Sequence, residues 1–369
     1  MDEIRIIVSG GGTGGHIFPA ISIANALKAR YPERVKILFV GAEGRMEMER
    51  VPAAGYEIVG LPIRGFDRAH PLNNIKTLYM VLKSLVKARR IIKTFKPQVA
   101  VGVGGYASGP LLRAAAANGV PTVIQEQNSY AGVTNKLLAS KASKICVAYS
   151  GMERFFPAEK ILLTGNPVRQ DLLEGSDLKA AGQEFYHLDP TKKTLLVIGG
   201  SLGARTLNES IMVYMDELES AADLQVIWQT GTYYYKKISE RLAGRTLKNV
   251  QVVEFVHKMN LAYAAADLII SRAGASSISE LCLLQKAVIL VPSPNVAEDH
   301  QTKNALALVK EDAAIMVKDA EARSTLIPRA LTLIHQPEKL AKLSANILKL
   351  AQHNSAERIA DEIFKLIKV

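Results

Sequence analysis

The chain has 369 residues, 48% of them apolar and 22% charged, with a formal net charge of +11. That length points to two domains, and that composition excludes a disordered or fibrous chain. Its two cysteines, Cys146 and Cys282, lie far apart, which argues against a disulfide framework or a zinc cluster and suits a reducing compartment.

The acidic Asp2-Glu3 leads directly into an apolar run, so no secretory signal is expected. No run of 18 or more apolar residues is present, so no bilayer-spanning helix is expected. Residues 4–8 read as a strand, followed by Ser9-Gly10-Gly11-Gly12-Thr13-Gly14-Gly15-His16 and a helical pattern over 19–30. Strand, glycine turn and helix make an anion-binding unit, because glycines admit a ligand close to the backbone and a helix N-terminus offers N–H groups. The spacing also fits a dinucleotide fingerprint. That reading wants an acid closing the second strand; here 35–40 ends at Val40-Gly41 and Glu43 comes late.

A short helix over 47–55 and a strand over 56–61 follow, then a long helix over 73–95. The strand over 99–103 runs into Gly104-Gly105-Tyr106-Ala107-Ser108-Gly109-Pro110, with a helix over 111–118. The strand over 121–125 ends at Glu126-Gln127-Asn128, and 144–147 and 160–163 are further strands. The pattern then restarts. A strand over 194–198 enters Gly199-Gly200-Ser201-Leu202-Gly203-Ala204-Arg205, with a helix from 206. Strands over 225–229 and 250–255 precede one over 267–271, which leads into Arg272-Ala273-Gly274-Ala275. Ser276 or Ser277 is expected to cap the next helix, with Glu280 near its first turn. A strand over 287–291 closes the pattern, and a helical tail covers 339–369. Strands alternating with helices predict an α/β architecture of two Rossmann-like, doubly wound parallel sheets facing across a cleft. The expected domains are 1–165 and 166–349, with a helix at about 350–369 that can pack back on the first.

The charge is uneven. Residues 1–165 hold 22 Lys/Arg against 11 Asp/Glu, whereas 166–369 hold 24 of each. From Arg64 to Lys96 there are nine basic residues and one acid, Asp67. Within it Ile75, Leu78, Tyr79, Leu82, Leu85 and Val86 recur at three- and four-residue spacing among Lys76, Lys83, Lys87, Arg89, Arg90 and Lys93. This is the pattern of a basic amphipathic helix on an anionic membrane surface, and equally of a core-facing helix with a solvated basic face. Few aromatics accompany the charge, which disfavours a nucleic-acid partner.

His16 at a helix start is a candidate general base. The second glycine turn, with Ser201 and Arg205, suits a phosphate. Glu280 is a carboxylate able to accept both hydroxyls of a ribose. No Asp-x-Asp occurs, and no His/Cys/Glu spacing reads as a metal site, so no metal or other cofactor is expected.

Taken together, 11–19, 104–110, 126–128, 165–169, 199–204, 271–275, 279–280 and 300–305 resemble the MurG family, glycosyltransferases of family 28 with the GT-B fold. The resemblance spans nearly the whole chain. It implies inverting, metal-independent transfer of GlcNAc from UDP-GlcNAc to the muramoyl 4-hydroxyl of lipid I, giving lipid II in peptidoglycan synthesis. It places Ser201 and Arg169 by the donor diphosphate, Glu280 on the ribose and the Val256 backbone on the uracil. Gln301, Thr13, Gly14, Gly15 and Asn128 then reach the GlcNAc hydroxyls, and Gly14-Gly15 with Gly104, Gly105 and Tyr106 meet the acceptor diphosphate. His16 and Glu126 are both candidates for the base. The implied location is peripheral, on the cytoplasmic face of the bacterial inner membrane, with cell-wall assembly proteins as possible partners. Lys303 stands where some members carry an aromatic residue, and Leu202 where some carry Gln. Two alternatives stay open at this point: a different GT-B enzyme such as a diacylglycerol glycosyltransferase, and a non-catalytic nucleotide-sugar binding protein.

Overall fold

Near-continuous apolar strands such as Ile4-Arg5-Ile6-Ile7-Val8 call for burial on both faces of a sheet. The structure, a computed structural model, describes residues 3–65, 74–168, 172 and 177–367. The chain divides into two compact units, Met1–Val168 with Gln352–Val369, and Arg169–Ala351.

In the first unit, seven strands form a wholly parallel sheet. They are β1 (Ile4–Gly10), β2 (Val35–Ala42), β3 (Glu57–Leu61), β4 (Val99–Gly104), β5 (Thr122–Glu126), β6 (Lys144–Val147) and β7 (Ile161–Leu163), in the order β3-β2-β1-β4-β5-β6-β7. The helices are α1 (Gly14–Arg30), α2 (Glu47–Ala53), α3 (Asn74–Phe95), α4 (Ser108–Ala117) and α5 (Val133–Leu138). Side chains alternate between the faces. Ile6, Val8, Phe39 and Val101 pack with Ile17, Ile23 and Leu27 of α1. Ile7, Val40, Ala100 and Ile124 pack on the other face with Ile92 of α3 and Leu111 of α4.

The second unit repeats the winding with β8 (Lys193–Ile198), β9 (Leu224–Gln229), β10 (Val250–Val253), β11 (Leu268–Ser271), β12 (Val288–Leu290) and β13 (Ile315–Met316), ordered β10-β9-β8-β11-β12-β13. Its helices are α6 (Leu178–Phe185), α7 (Arg205–Val213), α8 (Met215–Ser220), α9 (Tyr235–Leu242), α10 (Met259–Ala265), α11 (Ala275–Leu283), α12 (His300–Val309), α13 (Asp319–Ile334) and α14 (Pro337–Leu348). The single tryptophan, Trp228, is fully buried, and its indole N–H is satisfied by Asn208 Oδ1 at 2.9 Å.

The tail is two helices, not one. After α14 a break precedes α15 (Ser355–Lys365), whose N-cap Asn354 sits at φ 53°. Ile359, Ala360 and Ile363 of α15 join the core of the first unit beside α1, where Asp361 pairs with Arg30 and Phe364 meets Tyr31 edge to face at 5.2 Å.

Three other elements depart from the sequence reading. Helix α1 starts at Gly14, ahead of the pattern over 19–30, with His16 in its first turn. Helix α4 starts at Ser108, whose buried hydroxyl donates to the Gly104 carbonyl at 2.8 Å and closes the turn early. The two-residue β13 is too short to show any period.

In both sheets the winding reverses beside the first strand, between β1 and β4 and between β8 and β11. Open α/β sheets bind ligands outside the strand C-termini at that switch point. All four glycine-bearing turns singled out in the sequence sit at these positions.

Candidate functional site

In the first unit, the turns after β1 and β4 are in contact. Gly105 has φ 90°, and a Cβ there would stand 2.5 Å from the Gly11 carbonyl oxygen. Gly104 has φ 112°, and a Cβ there would stand 2.7 Å from the His16 ring. Only glycine fits both positions, for conformation and for space. The imidazole is half-buried against Gly104. Its Nδ1 lies 3.1 Å from the Gly11 carbonyl oxygen and 3.3 Å from Thr13 Oγ1. A carbonyl only accepts, so this contact places the proton on Nδ1 and leaves the basic lone pair on Nε2. Thr13 is the extended N-cap of α1 and is exposed, as is Gly15. The first-turn N–H groups of α1 therefore face the same edge as His16. Tyr106, 48% exposed, lays its hydroxyl over Gly65.

Glu126 ends β5 and is buried. Its Oε1 accepts from the N–H of Asn128 at 3.1 Å and from Asn128 Nδ2 at 3.3 Å. Its Oε2 accepts from the N–H of Gly132 at 3.0 Å and from Asn135 Nδ2 at 2.8 Å. Four donors occupy the four lone-pair positions of a carboxylate. Beside it, Asn166 joins Gln125 and Gln127 through a buried amide network, which ties 165–168 to the sheet.

In the second unit, a cavity of about 690 Å³ opens at the switch point. Its lining includes Ser201, Arg205, Phe255, Arg272, Glu280 and Gln301. Glu280 lies at its buried side, where Oε2 accepts the Tyr263 hydroxyl at 3.0 Å. Neither Ser276 nor Ser277 caps α11. Gly274 is the N-cap of α11, with no side-chain cap bond, so Ser277 lines the cavity and Glu280 falls on the second turn. Gln301 is held by the Ser293 N–H, which donates to its Oε1 at 2.8 Å.

Two residues without a sequence signal organise this cavity. Gln229, at the end of β9, donates Nε2 to the Gly200 carbonyl at 2.9 Å and accepts the Val256 N–H at 2.9 Å. It thus straps the glycine turn to the segment after β10. Asp319, at the start of α13, accepts from Arg272 Nη1 at 2.5 Å and from Thr206 Oγ1 at 2.9 Å. The same Arg272 nitrogen reaches the carbonyls of Val291 and Pro292, so this guanidinium is a brace between turns. Arg205, in contrast, is largely exposed at the N-terminus of α7, with Glu209 at 3.9 Å. Arg169 lies outside the described residues.

Neither cysteine is poised for chemistry. Burial pushes the Cys146 and Cys282 thiols up to about 12. Among the described residues no group of three or more His, Cys, Asp or Glu could hold a metal ion.

Helix α3 carries two apolar stripes. Ser84, Ala88 and Ile92 face the core, while Leu78, Tyr79, Leu82 and Val86 are each at least half exposed. Lys83, Arg89, Arg90 and Lys93 are exposed beside them, and Lys87 pairs with Glu43 at 2.9 Å. The sequence pattern picked out the outer stripe and missed the core-facing one, because Ser84 and Ala88 are too small or too polar to stand out in an apolar period. The side chains of Ile75 and Lys76, like Asp67, lie outside the described residues. No helix among the described residues is long and apolar enough to cross a membrane.

Comparison with known proteins follows the same division. The model of the glycosyltransferase family 28 N-terminal domain matches residues 6–147, and that of the family 28 C-terminal domain matches 194–363. A relative from Parabacteroides distasonis is 64% identical over 100% of this chain and 99% of its own length. One from Cytophaga hutchinsonii is 55% identical over 98% of this chain and 97% of its own. Both are named UDP-N-acetylglucosamine–N-acetylmuramyl-(pentapeptide) pyrophosphoryl-undecaprenol N-acetylglucosamine transferase. Among solved structures, Acinetobacter baumannii MurG superposes with a TM-score of 0.79 at 28% identity, over 98% of this chain and 99% of that one. A UDP-GlcNAc 2-epimerase from Neisseria meningitidis, at 14% identity and a TM-score of 0.69, shares the fold.

Proposed function

Because the chain belongs to glycosyltransferase family 28, we propose that it transfers GlcNAc from UDP-GlcNAc to the muramoyl 4-hydroxyl of lipid I, forming lipid II. The observation that carries this reading is the cavity of the second unit. It combines an anion-binding turn, a buried carboxylate and a side-chain amide in one hollow sized for a nucleotide sugar.

Donor binding follows from the lining. The diphosphate lies on the 199–203 turn at the N-terminus of α7, with Ser201 as hydroxyl donor and Arg205 as the exposed cation. Glu280 accepts the ribose hydroxyls, held in place by Tyr263. Gln301 serves the GlcNAc hydroxyls. The Val256 N–H is already accepted by Gln229, so uracil recognition there uses the Val256 carbonyl or exchanges that bond.

The reaction is a displacement at the anomeric carbon. The acceptor hydroxyl attacks the face opposite the diphosphate and inverts the centre, as its proton passes to His16 Nε2. Negative charge growing on the leaving diphosphate is met by the α7 N-terminus and the neighbouring cations, without a metal. Thr13, Gly14, Gly15 and Asn128 serve the sugars, and the turns at Gly14-Gly15 and Gly104-Gly105-Tyr106 serve the acceptor diphosphate. Glu126 is assigned to holding the 128–135 loop, not to the base, since its four acceptor positions are filled.

A lipid-linked acceptor also gives the outer stripe of α3 a role. Leu78, Tyr79, Leu82 and Val86 with their flanking cations suit peripheral binding to an anionic bilayer, each cation contributing about 1 kcal/mol. On this reading the protein works peripherally at the cytoplasmic face of the inner membrane. Labelled UDP-GlcNAc supplied with lipid I, with diacylglycerol or with no acceptor tests the reading. Transfer to lipid I alone is expected; transfer to diacylglycerol, or none at all, rejects it.

A further inference from the structure

A buried carboxylate beside the glycine turn belongs to a residue with no role in the reaction as described so far. Glu47, the first residue of α2, is 1% exposed. Its Oε2 accepts the Gly12 N–H at 2.8 Å and its Oε1 accepts the Ala42 N–H at 3.0 Å. Two backbones close on it. A Cβ on Gly11 would stand 2.2 Å from Oε1, and one on Gly41 would stand 2.6 Å from Cγ. A carboxylate this enclosed is stable only with its acceptors engaged, so its hydrogen bonds dictate how the glycine turn is oriented.

The Gly12 N–H and the Gly11 carbonyl belong to one peptide unit. That unit is planar and trans, so its N–H and C=O point in opposite directions. With the N–H held by Glu47, the carbonyl is directed the other way, and there it meets His16 Nδ1 at 3.1 Å. We infer that Glu47 is a positioning residue for His16, acting through the Gly11–Gly12 peptide to keep the imidazole proton on Nδ1. The arrangement is a carboxylate, a peptide and a histidine in series. It does the work of a carboxylate bonded directly to the ring, while keeping that charge away from an anionic substrate.

The structure also contains the alternative that Glu47 suppresses. Thr13 Oγ1 lies 3.3 Å from the same Nδ1. A hydroxyl both donates and accepts, whereas the carbonyl accepts only. If the Gly11–Gly12 peptide turns, Thr13 donates to Nδ1, the proton moves to Nε2, and the base is lost. Glycines at 11 and 12 carry no Cβ, so the backbone conformations such a turn needs are open to them.

The catalytic consequence rests on the proposed role of His16 as base, so the test reads tautomer and turnover separately. The full-length protein, labelled with 15N-histidine, is examined above about pH 8, where imidazole is neutral; the His16 signals are assigned by their loss in His16→Gln. The wild type is expected to show the Nδ1–H tautomer, and an Nε2–H tautomer there overturns the inference whatever any variant does. Glu47→Gln keeps the shape but offers one acceptor to two N–H groups. It is expected to populate Nε2–H and to lower kcat roughly ten- to a hundred-fold. The KM for UDP-GlcNAc is expected to stay within about twofold, as the donor binds the other unit. An unchanged tautomer in a folded Glu47→Gln protein overturns the inference. If the tautomer moves but His16→Gln retains full turnover, the positioning stands and the base assignment falls instead.

Discussion

Tyr263 donates its hydroxyl to Glu280 Oε2 at 3.0 Å, and both residues are buried beside the cavity of the second unit. In the proposed ribose contact the Glu280 carboxylate must point in a fixed direction, and the tyrosine bond restrains it. Tyr263→Phe is expected to raise the KM for UDP-GlcNAc several-fold, and Glu280→Ala roughly ten- to a hundred-fold, with smaller effects on kcat. A hydrogen bond to a charged group is worth about 1.5–3 kcal/mol. Steady-state kinetics with varied donor check both. Equal losses in kcat and kcat/KM would instead place Glu280 in the transition state.

Glu126 separates two readings that the sequence left open. As the acceptor for Asn128, Gly132 and Asn135, its removal strands the buried Asn135 donor at about 1–3 kcal/mol and leaves the part-buried donors of Asn128 and Gly132 without it. Glu126→Ala is therefore expected to lower the Tm by several degrees and to weaken turnover only along with that loss. Thermal unfolding and kcat measured on the same preparation decide it. A large fall in kcat at unchanged Tm would restore Glu126 as the base.

His335 and Asp223 give a pH signature far from the site. His335 Nε2 lies 2.8 Å from Asp223, and Nδ1 meets the Leu331 carbonyl at 2.7 Å. The Leu331 carbonyl and Asp223 raise the His335 value above 6.5, and His335 lowers that of Asp223 below 3.8. Stability from the charged histidine is full below pH 6.5 and fades as pH rises through its raised value. That from the carboxylate is present above pH 3.8 and fades as pH falls through its lowered value. The Tm difference between wild type and His335→Gln is expected to be largest between those limits and to narrow as pH rises through the raised His335 value. A difference independent of pH would contradict it.

The outer stripe of α3 is expected to dominate membrane contact. Replacing Leu78, Tyr79 and Leu82 together by Ser should reduce co-sedimentation with anionic vesicles several-fold while leaving the Tm unchanged, since all three are exposed. Binding of the wild type should fall with added salt. Salt-independent binding would remove the electrostatic part of the account.

The doubly wound fold was readable because both sheets are built from apolar strands punctuated by glycine turns, a pattern local to each element. The turns themselves were equally readable. What was not readable lies in contacts that cross the sequence. Glu47 belongs to no motif in the sequence and merely opens the short helix over 47–55; its carboxylate meets Gly12, 35 residues away, only once the sheet has formed. Gln229 and Asp319 likewise act on turns distant in the chain. Helix starts at Gly14 and Ser108 were set too late, because glycine and serine read locally as loop and become helical only when neighbouring strands fix the turn.

The most direct measurement is transfer of labelled GlcNAc to lipid I by the wild type and by His16→Gln, each with a chelator present. The account predicts lipid II from the wild type with or without the chelator, one UDP released per GlcNAc transferred, and a fall in kcat of at least about a hundred-fold in the variant. UDP release without lipid II, or full turnover by His16→Gln, would contradict it.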